Sequence, residues 1–158
     1  MSDTASTSVS TATNTFFNES SEEVMKRISN ATSAEDLINQ ICYSDGDTLF
    51  LDYRYFKYIA SVASYQLITN RVVEMIDKIL QHHPKFIAHT CIKFLTITDV
   101  DKHMSYIKNL SNVLKTRYQD KMATCSIYNA PFIFAQIYGI ISCFIDKDTQ
   151  AKIVLVKK

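Results

Sequence analysis

Glycine and proline, the residues that punctuate most α/β enzymes, occur only twice each in this chain of 158 residues. So few glycines argue against a phosphate-cradling loop. Neither G-x-G-x-x-G nor G-x-x-x-x-G-K-[ST] occurs, which sets aside dinucleotide and P-loop chemistry in their usual forms. G-x-S-x-G and H-E-x-x-H are absent as well, removing the strained serine elbow and the helical zinc-protease motif. Asp45, Asp47, Asp99 and Asp101 read as turn or cap acids, and no catalytic residue is assigned. The net charge is only +1, so no broad field draws the chain to polyanions. The segment LFLDYRYFKY sets Arg54 and Lys57 among aromatics, but two cations are too few for a nucleic-acid stacking platform, and no nucleic-acid partner is expected. No C-x-x-C is present; Cys42, Cys91, Cys125 and Cys143 are far apart and read as buried, reduced thiols. His82, His83, His89 and Cys91 crowd together without the spacing of a structural zinc site. They read as solvated histidines at a helix end, so neither a metal nor a cofactor is expected. No apolar run reaches the roughly 18 residues of a membrane span, and the opening residues lack a basic-then-apolar leader, so a cytoplasmic protein is expected.

What is present is an ordinary globular balance, 47% apolar and 21% charged. It is enough for one domain and a tail. Residues 1–15 are rich in Ser and Thr and are expected to form a disordered tail, because they bury too little to offset chain entropy. Residues 16–45 read as short helices: Ser20 and Glu23 make a capping box, and Ser33 starts a second helix with Glu35 and Asp36 in its first turn. From residue 46 onward turn, strand and helix signals alternate. Strands are expected at Thr48–Tyr53, Thr90–Thr98, Met122–Tyr128 and Ile153–Val156. Helices are expected at Ser61–His82, then from a cap at Asp99 through Val100, Met104, Ile107, Leu110, Leu114 and Tyr118, and finally at Pro131–Phe144. The fold class is therefore α/β, a mostly parallel sheet of about four strands flanked by helices.

The last helix is the sharpest feature. Phe132, Ile133, Phe134, Ile137, Tyr138, Ile140, Ile141 and Phe144 cover nearly its whole circumference. On periodicity alone this describes a helix buried on two sides. Around it stand Tyr118-Gln119-Asp120, the run Ile127-Tyr128-Asn129-Ala130-Pro131-Phe132, Phe144-Ile145-Asp146, Thr149 and Lys152-Ile153. In order and spacing these resemble the YPE, INAP, PFLD, T and KI motifs of the CRAL-TRIO lipid-binding domain of phosphatidylinositol- and tocopherol-transfer proteins. The likeness is good over residues 84–156 and faint before them, with Gln119 and Asp120 in place of the family's proline and glutamate.

The resemblance implies a truncated CRAL-TRIO-like domain over residues 46–158 and a non-enzymatic function, the binding and transfer of a hydrophobic lipid such as a phosphoinositide. It implies that Phe132, Phe134, Ile137, Tyr138, Ile140, Ile141 and Phe144 form a gate over the ligand, with one face on the cavity and the other meeting a membrane transiently. By position it places Lys152 and Asp120 beside the headgroup, where a lysine suits a phosphate as a compact cation. A cytoplasmic protein peripheral to membranes follows, with self-association or a protein partner at an unpaired edge strand. The competing expectation is a degenerate CRAL-TRIO-like interaction module that binds no lipid.

Overall fold

A computed structural model of the chain describes residues 16–156; the expected tail at 1–15 lies outside the described residues. Helix α1, Ser21–Asn30, starts where expected. The Ser20 hydroxyl accepts from the Glu23 N–H, and the Glu23 carboxylate accepts from the Ser20 N–H. Helix α2, Ala34–Ile41, is capped by the Ser33 hydroxyl, which accepts from the Asp36 N–H, while the Asp36 carboxylate accepts from the N–H and hydroxyl of Thr32 rather than from Ser33.

A strand not anticipated from sequence follows. Strand β1, Cys42–Asp45, turns at Gly46, whose φ is 61°, and pairs antiparallel with β2, Thr48–Asp52. Its four residues carry no alternation of their own; the pairing with β2 and the complete burial of Cys42 make it a strand. Aromatic residues 53–59 form helix α3, Tyr53–Ile59, rather than prolonging β2, because the Asp52 carboxylate accepts from the Arg54 N–H and caps it. Helix α4 covers Tyr65–Leu80, shorter than expected at its start, and Val62 is 88% exposed in the turn before it.

Strand β3 is Phe86–Cys91, not residues 90–98. Its parallel ladders to β2 and β4 fix this register, and Phe94, at φ 72°, breaks the extended chain beyond it. The following helix begins at a Thr96–Asp99 capping box in which Thr96, not Asp99, is the cap. It breaks at His103 into α5, Ile97–Lys102, and α6, Met104–Tyr118. Strand β4, Met122–Tyr128, falls where expected. Then come α7, Phe134–Ile141, a 3₁₀ turn at Ser142–Phe144, the short helix α8, Lys147–Gln150, and β5, Ile153–Leu155.

The five strands lie in chain order, parallel except for the first pair. Alternation along them separates two faces. Leu49 and Ala88 join α1, α2, α4 and α6 in the main core through Val24, Ile38, Ile76 and Tyr118. Phe50, Cys91 and Tyr128 point the other way and are covered by Phe17. That covering segment is held by a buried clamp. Arg54 makes two bonds to the Asp52 carboxylate, at 2.9 and 2.7 Å, and one of 2.8 Å to Glu19. His89 lies on this second face, buried, with its Nδ1 2.8 Å from the Tyr128 hydroxyl. It is therefore not one of the solvated histidines expected at a helix end. The thiols also differ from expectation: all four are free, but only Cys42 and Cys91 are fully buried, and Cys143 is exposed.

Candidate functional site

Between the core face of the sheet and helices α4, α6 and α7 the packing is open. One cavity of about 320 Å³ lies toward the C-terminal ends of the parallel strands, with Ile92, Val100, Ile107, Ile137 and Ile141 among its walls. A second, of about 220 Å³, lies toward their N-terminal ends, with Phe86, Ala88, Met122, Cys125, Phe144 and Ile153 among its walls. Both are lined by Leu51 and Thr90 on the floor, Val72 on α4, and Leu110, Ser111 and Leu114 on α6. The two adjoin across these six shared walls, and together they are called the trough below. A cavity of roughly 150 Å³ with such walls already admits a benzene-sized molecule, and ligand sites begin at about 300 Å³.

Helix α7 roofs the trough because β4 ends abruptly. Asn129 takes a left-handed φ of 57°, which asparagine tolerates, and Pro131 accepts from the Phe134 N–H at 2.9 Å. The chain then crosses back over the sheet to β5, so the roof starts at the C-terminal end of β4 and finishes near the N-terminal end of β5. Its apolar residues divide. Ile137 is fully buried, and with Ile141 it faces the larger cavity. Phe144 faces the smaller one, and the Lys108 ammonium sits 5.1 Å from its ring. Phe134 and Tyr138 are half-buried, with ring centroids 5.7 Å apart; Ile140 is half-buried; Phe132 is 99% exposed. A Cβ added at Gly139 would meet nothing within 4 Å, so close packing is not the reason for that glycine.

The two ends of the roof are held differently. Gln150 donates to the carbonyls of Ser142 and Ile145 at 3.0 and 2.7 Å and pins the far end. The near end, at Ile133, has no side-chain cap.

Asp120 and Lys152 both line the smaller cavity. Asp120 sits at φ 62° in the turn between α6 and β4, where the Lys121 N–H bonds back to the Tyr118 carbonyl. Lys152 leads into β5, and its carbonyl accepts from the Cys125 N–H at 2.9 Å. Each therefore stands at the N-terminal end of a parallel strand, and the sheet brings them to one mouth. Lys115, Asp146, Asp148 and Thr149 share that mouth. Asp146 is held below the usual carboxylate range by the Thr149 backbone and hydroxyl, with Lys115 and Lys152 adding weaker attraction. Burial pushes the Cys125 thiol up to about 11, leaving it neutral and apolar in the cavity wall.

Sequence reading did not single out Ser111 or Lys115. They share one α6 face with Leu114 and Tyr118 at three- and four-residue steps, so the signal was available. Tyr53 and His103, which line the larger cavity, gave no such signal, because they come from the start of α3 and the break between α5 and α6, which only the fold brings together.

The model of the CRAL/TRIO domain matches residues 61–158, taking in β3 to β5, the roof and both mouth residues. The chain belongs to the CRAL/TRIO domain family. This family consists of lipid-binding and lipid-transfer domains. The crystal structure of Sfh5 is similar in fold, with a TM-score of 0.66 at 16% identity over 84% of this chain and 52% of that one. This CRAL/TRIO chain thus spans about half the length of that structure. Among curated proteins none matches in sequence. Among the described residues no helix is long and apolar enough to cross a membrane.

Proposed function

We propose that the trough holds one lipid molecule, that α7 is its movable cover, and that the protein exchanges this lipid at a membrane surface without chemical change. The observation that carries this reading is the open volume beneath α7, walled by aliphatic side chains and ending at a mouth where Lys152, Lys115 and Asp120 gather. Each buried methylene contributes about 0.8 kcal/mol, so a long acyl chain supplies the affinity. Lys152 meets a headgroup phosphate, and Asp120 accepts from headgroup hydroxyls; a phosphoinositide satisfies both. Ile137, Ile141 and Phe144 form the inner side of the cover, while Phe132, Phe134, Tyr138 and Ile140 form the side and leading edge that meet the bilayer. The cover opens from its Phe132 end, since the other end is pinned by Gln150. The protein then works in the cytoplasm, peripheral to membranes.

The test is to extract the purified protein with organic solvent and identify the lipid by mass spectrometry, and in parallel to measure uptake of pyrene-labelled phosphatidylinositol from vesicles. Near-stoichiometric lipid or saturable uptake supports the proposal; a clean extract with no uptake sinks it.

A second contact is supported by β5. It is a sheet edge, and Val154 and Leu155 on it are 38% and 44% exposed. Two copies pairing through β5 would satisfy the free backbone groups of both, an association visible as a concentration-dependent mass in light scattering.

A further inference from the structure

Strands β3 and β4 part just beyond two bonds. The Ile92 N–H donates to the Tyr128 carbonyl at 3.1 Å, and the Asn129 side chain donates to Cys91 Sγ at 3.4 Å. Past this junction Ile92 and Leu95 line the larger cavity, whereas Phe94 and Ile97 are exposed. Phe132, almost wholly exposed, lies on the neighbouring loop. Extended chain spans at most about 3.5 Å per residue, so Phe94 stands within about 7 Å of the junction and Phe132 within about 14 Å. Phe94 holds a φ of 72°, a left-handed conformation that disfavours a side chain. The loop is nevertheless fixed. Lys57 Nζ donates to the Phe94 carbonyl at 2.9 Å, and the Leu95 N–H donates to that of Ile92 at 3.1 Å. A single exposed apolar side chain is ordinary. A strained aromatic held in water with two others nearby is not, and such strain collects where a chain makes functional contacts.

We infer that residues 93–97 form a fixed membrane anchor, which sets Phe94 and Ile97 into the interface of an anionic bilayer beside Phe132. A bilayer interface accepts single protruding aromatics without a shaped pocket, whereas a protein partner needs a broader complementary surface. The Lys93 ammonium lies 5.3 Å from the Phe94 ring centroid. Lys57 is ion-paired to Asp99 at 3.3 Å, but Lys93 has no acidic partner among the described residues. Its charge is therefore available to lipid phosphates, which attract it, while its stem lies along apolar surface. The same loop walls the larger cavity, and α7 is uncapped at its Ile133 end. Anchoring the loop holds that end of the trough against the bilayer. This inference rests on the reading that α7 meets a bilayer, and adds to it a contact that does not move with the cover.

The sequence contains no tryptophan, so a single introduced one reports alone. The full-length variants are Phe94→Trp, Phe132→Trp and Gln81→Trp, the last in the turn before β3 at the other end of the sheet. Each is mixed with phosphatidylcholine–phosphatidylserine vesicles whose acyl chains are plain or brominated. Phe94→Trp and Phe132→Trp shift their emission to shorter wavelength and are quenched by the bromines; Gln81→Trp does neither. Phe94→Gly, which suits the backbone there, weakens vesicle cosedimentation by about tenfold, as expected for one ring left in water. An unquenched Phe94→Trp overturns the inference; if Phe132→Trp is quenched, the contact of α7 with the bilayer stands. Equal quenching of Gln81→Trp overturns the inference too, as does undiminished vesicle binding by Phe94→Gly. If no variant is quenched and the wild type takes up no labelled lipid, both readings fall together. A concentration-dependent mass that Phe94→Gly abolishes assigns the patch to a second copy of the chain and overturns the anchor.

Discussion

Ser111→Phe tests whether the trough is real space. Ser111 is half-buried on α6 and borders both compartments, so a large side chain there fills space in one or both of them. Serine and phenylalanine have similar helix propensities, so α6 itself is little disturbed. If the space is open, burying the ring contributes about 2 kcal/mol. Lost rotamer freedom takes back part of that, and a net gain of about 1 kcal/mol raises Tm by about 3 °C for a chain of this size. If instead the walls close on one another in solution, the same ring overpacks the core and costs about 1–3 kcal/mol. The sign of the change decides. The plug also displaces ligand: losing burial for three methylenes alone weakens binding by about 2.4 kcal/mol, well over tenfold. Thermal unfolding by circular dichroism and uptake of a pyrene-labelled lipid are the two measurements. A lower Tm with undiminished uptake would refute both the cavity and its assignment as the lipid site.

Lys152→Ala should weaken binding of vesicle phosphatidylinositol by about tenfold or more, the worth of a charge-assisted contact, while uptake of a neutral lipid stays the same; equal loss for both lipids would mean that Lys152 only supports β5. Phe94 holds a left-handed φ of 72° that suits glycine, so Phe94→Gly relieves roughly 1–2 kcal/mol of backbone strain against a smaller entropic cost. Its Tm should hold or rise, and a fall of several degrees would show that the ring, 40% exposed, packs more than its position indicates. His89 and His103 both have depressed basicity, chiefly from burial. The unfolded chain therefore binds protons at a pH where the folded one does not, so stability is complete above about pH 6.5 and falls as pH drops below it. Denaturant midpoints between pH 8 and pH 5 check this, and a flat profile would contradict it.

The parts legible in sequence were those set by local chemistry. The Ser20 and Ser33 caps and strand Met122–Tyr128 depend on neighbours in the chain, and the structure has them where expected; the apolar helix after Pro131 is there too, but α-helical only over Phe134–Ile141 rather than Pro131–Phe144. The parts misread were those that only pairing decides. Cys42–Asp45 is a strand because β2 lies beside it, and β3 starts at Phe86 because β2 and β4 fix its register. The apolar residues after Cys91 that looked like strand line the larger cavity instead, as Ile92 and Leu95 do. For the candidate site, motif positions placed Asp120 and Lys152 at one mouth. That Tyr53 and His103 both line the larger cavity was not legible, because the start of α3 and the break between α5 and α6 meet only in three dimensions.

The direction of the trough follows from the same topology. In open α/β sheets ligands usually gather outside the C-terminal ends of the strands, where the Tyr53 end of the larger compartment lies. The charged mouth is at the opposite end, because Asp120 and Lys152 sit in the turns that lead into β4 and β5. A crossover helix must span the sheet from the end of one strand to the start of the next, so α7 lies over the trough between these two ends. Its Gln150-pinned end is beside the charged mouth, and its uncapped end, with the exposed Phe132, is beside the Tyr53 compartment. On the proposed reading, a cover freed at Phe132 opens the end away from Lys152 and Asp120 first. On the function proposed above, a lipid leaves or enters by its apolar portion while Lys152 meets its headgroup, so the charged group need not cross the greasy floor.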